Sequence, residues 1–130
     1  MDSSKLPPKK AILIDDEVHV RSVMSSALRS LGFEIVAQLS SAREAPGQVK
    51  NAEVSLILLD VNMPGVTGAE VVKQLTGESN VCVIMLTAVK DPEVIGKCLE
   101  AGAAHYILKD SRLSEITKMI QTTWENYFAH

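Results

Sequence analysis

Apolar and polar positions follow two rhythms along this chain. Short apolar, β-branched runs occur at 11–14 (AILI), 33–39 (FEIVAQL), 54–59 (VSLILL), 81–86 (VCVIML) and 104–108 (AHYIL). The third and fourth are almost unbroken, as expected of central parallel strands covered on both faces. Helical spacing fills the gaps. Val20, Val23, Met24, Ala27, Leu28 and Leu31 follow the i, i+3, i+4, i+7 rule. Thr67 with Glu70 predicts a capping box opening a helix over 67–76. Asp91-Pro92-Glu93 predicts another helix start, with Asp91 as cap and proline in the first position. Leu113, Ile116, Ile120, Trp124 and Tyr127 lie on roughly one face of a last helix. Gly32 and Gly77 read as helix stops. Ser41 and Glu44 form a capping pattern too, but Pro46 and Gly47 follow within two turns. Proline in a helix interior costs about 3 kcal/mol, so this helix is expected to be short, kinked or late-starting.

The order is therefore strand then helix, five times over. Right-handed crossovers turn that order into an α/β doubly wound parallel sheet with helices on both faces. With 130 residues the chain is the size of one domain. The polar opening MDSSKLPPKK reads as a flexible lead-in over 1–10, and 11–130 as the domain.

Composition narrows the partners. A formal net charge of -3 gives no bulk case for nucleic acid, and Lys9-Lys10 is the one adjacent basic pair. Cys82 and Cys98 lie in apolar patterns and read as buried, reduced thiols. No apolar run approaches the roughly 20 residues that cross a bilayer, and the first ten residues lack an apolar core. A cytoplasmic protein with no membrane contact is the expectation.

In a doubly wound sheet, chemistry gathers at the carboxyl ends of the strands. Asp15, Asp16 and Glu17 follow the first run and Asp60 the third; Thr87 and Ala88 follow the fourth, Lys109 and Asp110 the fifth. Two carboxylates about 5 Å apart repel by roughly 3 kcal/mol at an effective dielectric near 20. A divalent cation and the Lys109 ammonium would offset this. An all-oxygen donor set selects a hard ion such as Mg²⁺, with Mn²⁺ as substitute, and such an ion leaves room for phosphate oxygens. Asp60 can then act as a phosphoryl-accepting nucleophile, with Thr87 and Lys109 supplying donors to the transferred group. Taken singly, these residues would more often be caps or solvated side chains; their weight comes from meeting at one sheet edge.

Asp15-Asp16-Glu17, LLDVNMPGVTG around Asp60, LTA ending at Ala88 and AGAAHYILK ending at Lys109 together resemble the receiver domain of bacterial response regulators, the CheY-like family. The resemblance covers residues 11 to about 127. It implies a flavodoxin-like five-stranded sheet, order 2-1-3-4-5, with five helices. By position, Asp60 matches the phosphoacceptor, while Thr87, Ala88 and Lys109 match the phosphate-binding set. Asp16 matches a direct metal ligand, Asp15 a ligand acting mostly through water, and Asn62 a backbone carbonyl ligand. Thr87 and Tyr106 match the switch pair. The implied partners are a sensor histidine kinase or phosphotransfer protein. An output domain or target would read the fourth helix, fifth strand and fifth helix, and a phosphorylation-dependent dimer belongs to the same expectation. The domain would be a switch that assists its own phosphorylation and dephosphorylation, not an enzyme, and would not itself bind nucleic acid.

Two positions depart from the family pattern. Asp110 stands where proline, with a cis bond, is common; a cis non-proline bond costs about 2.5–4 kcal/mol, so a trans bond or an altered loop is expected. Thr67 stands where aspartate is common before Gly68. Two other classes compete with this reading. A haloacid-dehalogenase-type phosphatase would need a second aspartate as general acid, where this chain has Asn62. A flavin-binding or unphosphorylated adaptor module would not call for the full acidic set.

Overall fold

The structure, a computed structural model, describes residues 6–61 and 67–129. Five strands, β1 (Lys10–Ile14), β2 (Glu34–Leu39), β3 (Leu56–Leu59), β4 (Cys82–Thr87) and β5 (His105–Leu108), form one sheet of order β2-β1-β3-β4-β5. All pairings are parallel. Five α-helices alternate with them: α1 (Val18–Ser30), α2 (Ala45–Ala52), α3 (Gly68–Glu78), α4 (Pro92–Glu100) and α5 (Leu113–Phe128). This is the doubly wound α/β arrangement expected from the apolar runs.

The two faces follow from the period of two along each strand. Ile12, Ile14, Ile57, Leu59, Val83 and Met85 face α2, α3 and α4, where Val49, Val72, Leu75 and Cys98 meet them. Ala11, Leu13, Leu56, Leu58, Ile84 and Leu86 face α1 and α5, against Met24, Leu28, Ile116, Ile120 and Trp124. β1, β3 and β4 are buried on both faces, which is why their runs are continuous.

The second helix starts late, as Pro46 required. A 3-10 turn at Ala42–Glu44 comes first, capped by Ser41, whose hydroxyl accepts from the Arg43 N–H. α2 then begins at Ala45, so Pro46 falls in its first turn, where no N–H is needed. Asp91 caps α4 by accepting from the Glu93 N–H at 3.0 Å. Gly32 has φ +92, the left-handed geometry of a helix stop.

Three local expectations are corrected. Gly77 does not end α3, which runs on to Glu78 because Val72 and Leu75 hold its inner face on the sheet. Thr67 stands at the N-cap of α3 with extended backbone, but its exposed side chain makes no capping bond. Leu113 is 47% exposed, so the inward face of α5 begins only at Ile116.

Of the expected lead-in, residues 6–9 are tied to the fold. Leu6 packs on the α1/α5 core. The Pro8 carbonyl accepts from the buried Ser55 hydroxyl at 2.6 Å, and Ser55 in turn accepts from the Trp124 indole N–H at 3.2 Å. Lys9 lies over the Phe33 and Trp124 rings at 5.3 and 5.5 Å and donates to the Leu31 carbonyl. One member of the basic pair is thereby taken up by packing.

Candidate functional site

The sheet ladder continues one residue past its strands and so fixes the site residues. The Asp15 N–H donates to the Leu39 carbonyl, the Asp60 N–H to the Ile14 carbonyl, and the Lys109 N–H to the Thr87 carbonyl. Asp15, Asp60 and Lys109 therefore extend β1, β3 and β5 by one residue, and Thr87 ends β4, all at the carboxyl edge of the sheet. Glu17 then starts α1, and its N–H donates to the Asp15 carboxylate at 2.8 Å. Arg21, one turn on, donates to the Asp15 carbonyl.

One carboxylate oxygen from each of Asp15, Asp16, Glu17 and Asp60 falls within 4.8 Å of the others. Asp15 and Asp60 are buried; Asp16 and Glu17 are open to solvent. Lys109 spans the cluster, with its ammonium 2.8 Å from Asp15, 3.0 Å from Asp60 and 3.3 Å from Glu17. Its three donors have three carboxylate partners.

Among the described residues, the Lys109 ammonium is the one cation paired with these carboxylates, and burial is the largest single influence on the ionisation of Asp15 and Lys109. Burial raises the Asp15 carboxyl above the ordinary value, against the opposing hydrogen bonds from Lys109 and the Glu17 N–H. Burial alone would lower Lys109, but its hydrogen bonds to Asp15 and Asp60 prevail and hold it well above the ordinary lysine value. The ammonium is charged at any physiological pH. The donors are all oxygens, two of the four residues are buried, and their atoms converge within 4.8 Å, so this set fits a hard divalent cation.

Thr87 is fully buried at the end of β4, and its hydroxyl accepts from the Val89 N–H at 3.2 Å. Tyr106, half-buried on β5, donates its hydroxyl to the Val89 carbonyl at 2.8 Å and also interacts with Thr87. Burial raises its phenol above the ordinary value. Ala88 is exposed at the rim. Asn62 lies outside the described residues. No peptide bond among the described residues is cis, so Lys109–Asp110 is trans. Burial pushes the Cys82 thiol up to about 12, and both cysteines are buried and unpaired.

Two contacts escaped the sequence reading. Glu17, placed by the sequence after the first run, also joins the acidic cluster and contacts Lys109. Lys90 pairs with Asp110 at 2.8 Å across the rim, which only the spatial adjacency of β4 and β5 shows.

Residues 11–121 match the family model described as the response regulator receiver domain. This chain belongs to that receiver family. The receiver domain of two-component systems is phosphorylated on aspartate and binds Mg²⁺ as a general property of the family. Among curated relatives, this receiver is 35% identical over 115 residues to the transcriptional regulatory protein LnrK of Bacillus subtilis, covering 87% of this chain and 52% of that one. The chain spans about half the length of the curated relatives it matches. Among solved structures, it superposes on the receiver domain of the response regulator NarL from Mycobacterium tuberculosis with a TM-score of 0.82 at 27% identity, covering 92% of this chain and 98% of that one. It likewise resembles the beryllofluoride-activated NtrC4 receiver domain dimer, with a TM-score of 0.83 at 25% identity and coverage of 92% and 98%. No helix among the described residues is long and apolar enough to cross a membrane.

Proposed function

We propose that Asp60 accepts a phosphoryl group from a histidine kinase or phosphotransfer protein in the cytoplasm, and that the charge change resets the surface formed by α4, β5 and α5. What carries the reading is the Lys109 ammonium held between buried Asp15 and buried Asp60 at the carboxyl edge of the sheet.

An Asp60 carboxylate oxygen attacks the donor phosphorus. The new P–O bond forms as the P–N bond to the donor imidazole breaks, and that nitrogen takes up a proton. Positioning and charge neutralisation supply most of the rate in such transfers. Asp15, Asp16, Asp60 and the Asn62 carbonyl would hold a Mg²⁺ or Mn²⁺ ion, which would supply positive charge to the phosphoryl oxygens. Lys109 then turns one donor to a phosphoryl oxygen. The Thr87 hydroxyl and the Ala88 N–H serve the others. Moving Thr87 disturbs Tyr106, because both are tied to Val89. That link carries the signal to β5 and its neighbouring helices, as a shift between two populated states. A phosphorylation-dependent dimer through the same surface belongs to this reading, with an activated receiver dimer known in NtrC4.

The test is incubation with Mg²⁺ and a small acyl phosphate, followed by intact-protein mass measurement. Wild type is expected to gain one phosphoryl group and Asp60→Asn none. An adduct on the variant, or none on wild type, defeats the proposal.

A further inference from the structure

Lys90 and Asp110 are an ion pair joining the two loops that carry the phosphate-binding residues. Lys90 lies three residues after Thr87, and Asp110 immediately follows Lys109. The loops start from a shared point, the Lys109 N–H bonded to the Thr87 carbonyl at 2.9 Å. Beyond it the strands no longer pair. The Lys90 ammonium, 2.8 Å from the Asp110 carboxylate, closes the gap, so that Thr87 to Lys90 and Lys109 to Asp110 form one ring. Inside this ring Val89 donates to the Thr87 hydroxyl and accepts from the Tyr106 hydroxyl. Ala88, between Thr87 and Val89, has its backbone held from both sides.

Both side chains are well exposed, at 63% and 64%. Exposed pairs add little to folding stability. The position is what distinguishes this one: among the described residues, every other acidic partner of a lysine at the site lies inside the acidic cluster. Unpaired, Asp110 would also add a further negative charge at the mouth of a site that must receive an anion.

We infer that the Lys90–Asp110 pair is a positioning strap that holds the Thr87–Val89 loop and Lys109 in register for binding the phosphoryl group. The inference rests on the proposed function of Asp60. Neither residue touches the reacting atoms; they act through Ala88, Thr87 and Lys109. The Asp110 carboxylate is what makes the strap available.

The experiment compares wild type, Lys90→Ala, Asp110→Ala and the double exchange Lys90→Asp/Asp110→Lys. The readout is the rate of Asp60 phosphorylation by acetyl phosphate with Mg²⁺ at low salt, alongside melting temperature. Both single variants should slow phosphorylation about threefold or more, as loss of positioning does, while their melting temperatures stay near wild type. The double exchange should recover the rate to within about twofold, since it restores the pair with reversed charges. Opposite effects of the two single variants would mean that only local charge matters, and would overturn the strap. So would single variants indistinguishable from wild type, or a double exchange as slow as they are. Absence of phosphorylation in wild type itself would instead defeat the reading of Asp60.

Discussion

Replacing Lys109 with methionine separates the two roles assigned to its ammonium, charge compensation in the resting protein and phosphoryl binding. Methionine keeps most of the volume of a side chain that is 15% exposed, and removes the charge. Asp15 and Asp60, 7% and 3% exposed at their side chains, then face each other without a cation. Their cluster oxygens lie within 4.8 Å, where the repulsion at an effective dielectric near 20 is about 3 kcal/mol. Loss of one partner from a buried pair typically costs a similar amount, about 3–5 kcal/mol. For a domain of this size, about 3 °C per kcal/mol places the fall in melting temperature near 10 °C in chelator. Saturating Mg²⁺ should return most of that loss, because the ion supplies the missing charge. The Mg²⁺-induced rise in Tm should therefore be larger in Lys109→Met than in wild type, while phosphorylation of the variant is slow. Thermal unfolding followed by circular dichroism, with chelator and with Mg²⁺, checks both points. A variant that melts like wild type in chelator, or gains less from Mg²⁺, would refute the charge-compensation account.

Other substitutions probe the same balance and its supports. Asp15 has a raised pKa when folded, so its ionisation opposes folding as pH climbs from the ordinary carboxylate range through that raised value. Asp15→Asn should therefore make the metal-free protein more stable than wild type at pH 7 but not at strongly acid pH, and should blunt stabilisation by Mg²⁺; pH-dependent melting with and without the ion reads this. A Cβ at Gly68 would come within 2.3 Å of a Val61 methyl and 3.3 Å of its Cα. Gly68→Ala should lower stability by about 1–3 kcal/mol in denaturant titration and slow Asp60 phosphorylation through its neighbour Val61. At Gly77, inside α3, a Cβ would meet nothing within 4 Å. Gly77→Ala should raise stability by about 0.5–1 kcal/mol in the same titration and leave phosphorylation unchanged.

The strands and the acidic edge were legible because burial and topology leave period and position in the sequence. Leu56–Leu59 and Cys82–Thr87 are buried on both faces, so their residues are apolar without interruption. The residue after each such run is then at the sheet edge, which is how Asp60, Thr87 and Lys109 could be named. Pro46 was legible as a constraint, and its solution, a preceding turn that shifts it into the first helical position, followed from the missing N–H. Gly77 misled because a glycine costs a helix only about 1 kcal/mol, which packing of Val72 and Leu75 overrides. Long-range side-chain contacts had no signal in the sequence. Lys9 reaches Leu31 and the Trp124 ring, and Lys90 reaches Asp110, through adjacency that only the folded chain creates. Glu17 was visible as an acid, but its contact with Lys109 depends on where α1 starts.

The central claim is that Asp60 is the residue that takes the phosphoryl group. The most direct measurement is to phosphorylate the protein with acetyl phosphate and Mg²⁺, trap the acyl phosphate with borohydride, and sequence the peptides by tandem mass spectrometry. Homoserine at position 60, dependent on Mg²⁺ and on the donor, is the predicted result. Homoserine at Asp15, Asp16 or Glu17 with position 60 unmodified would contradict it.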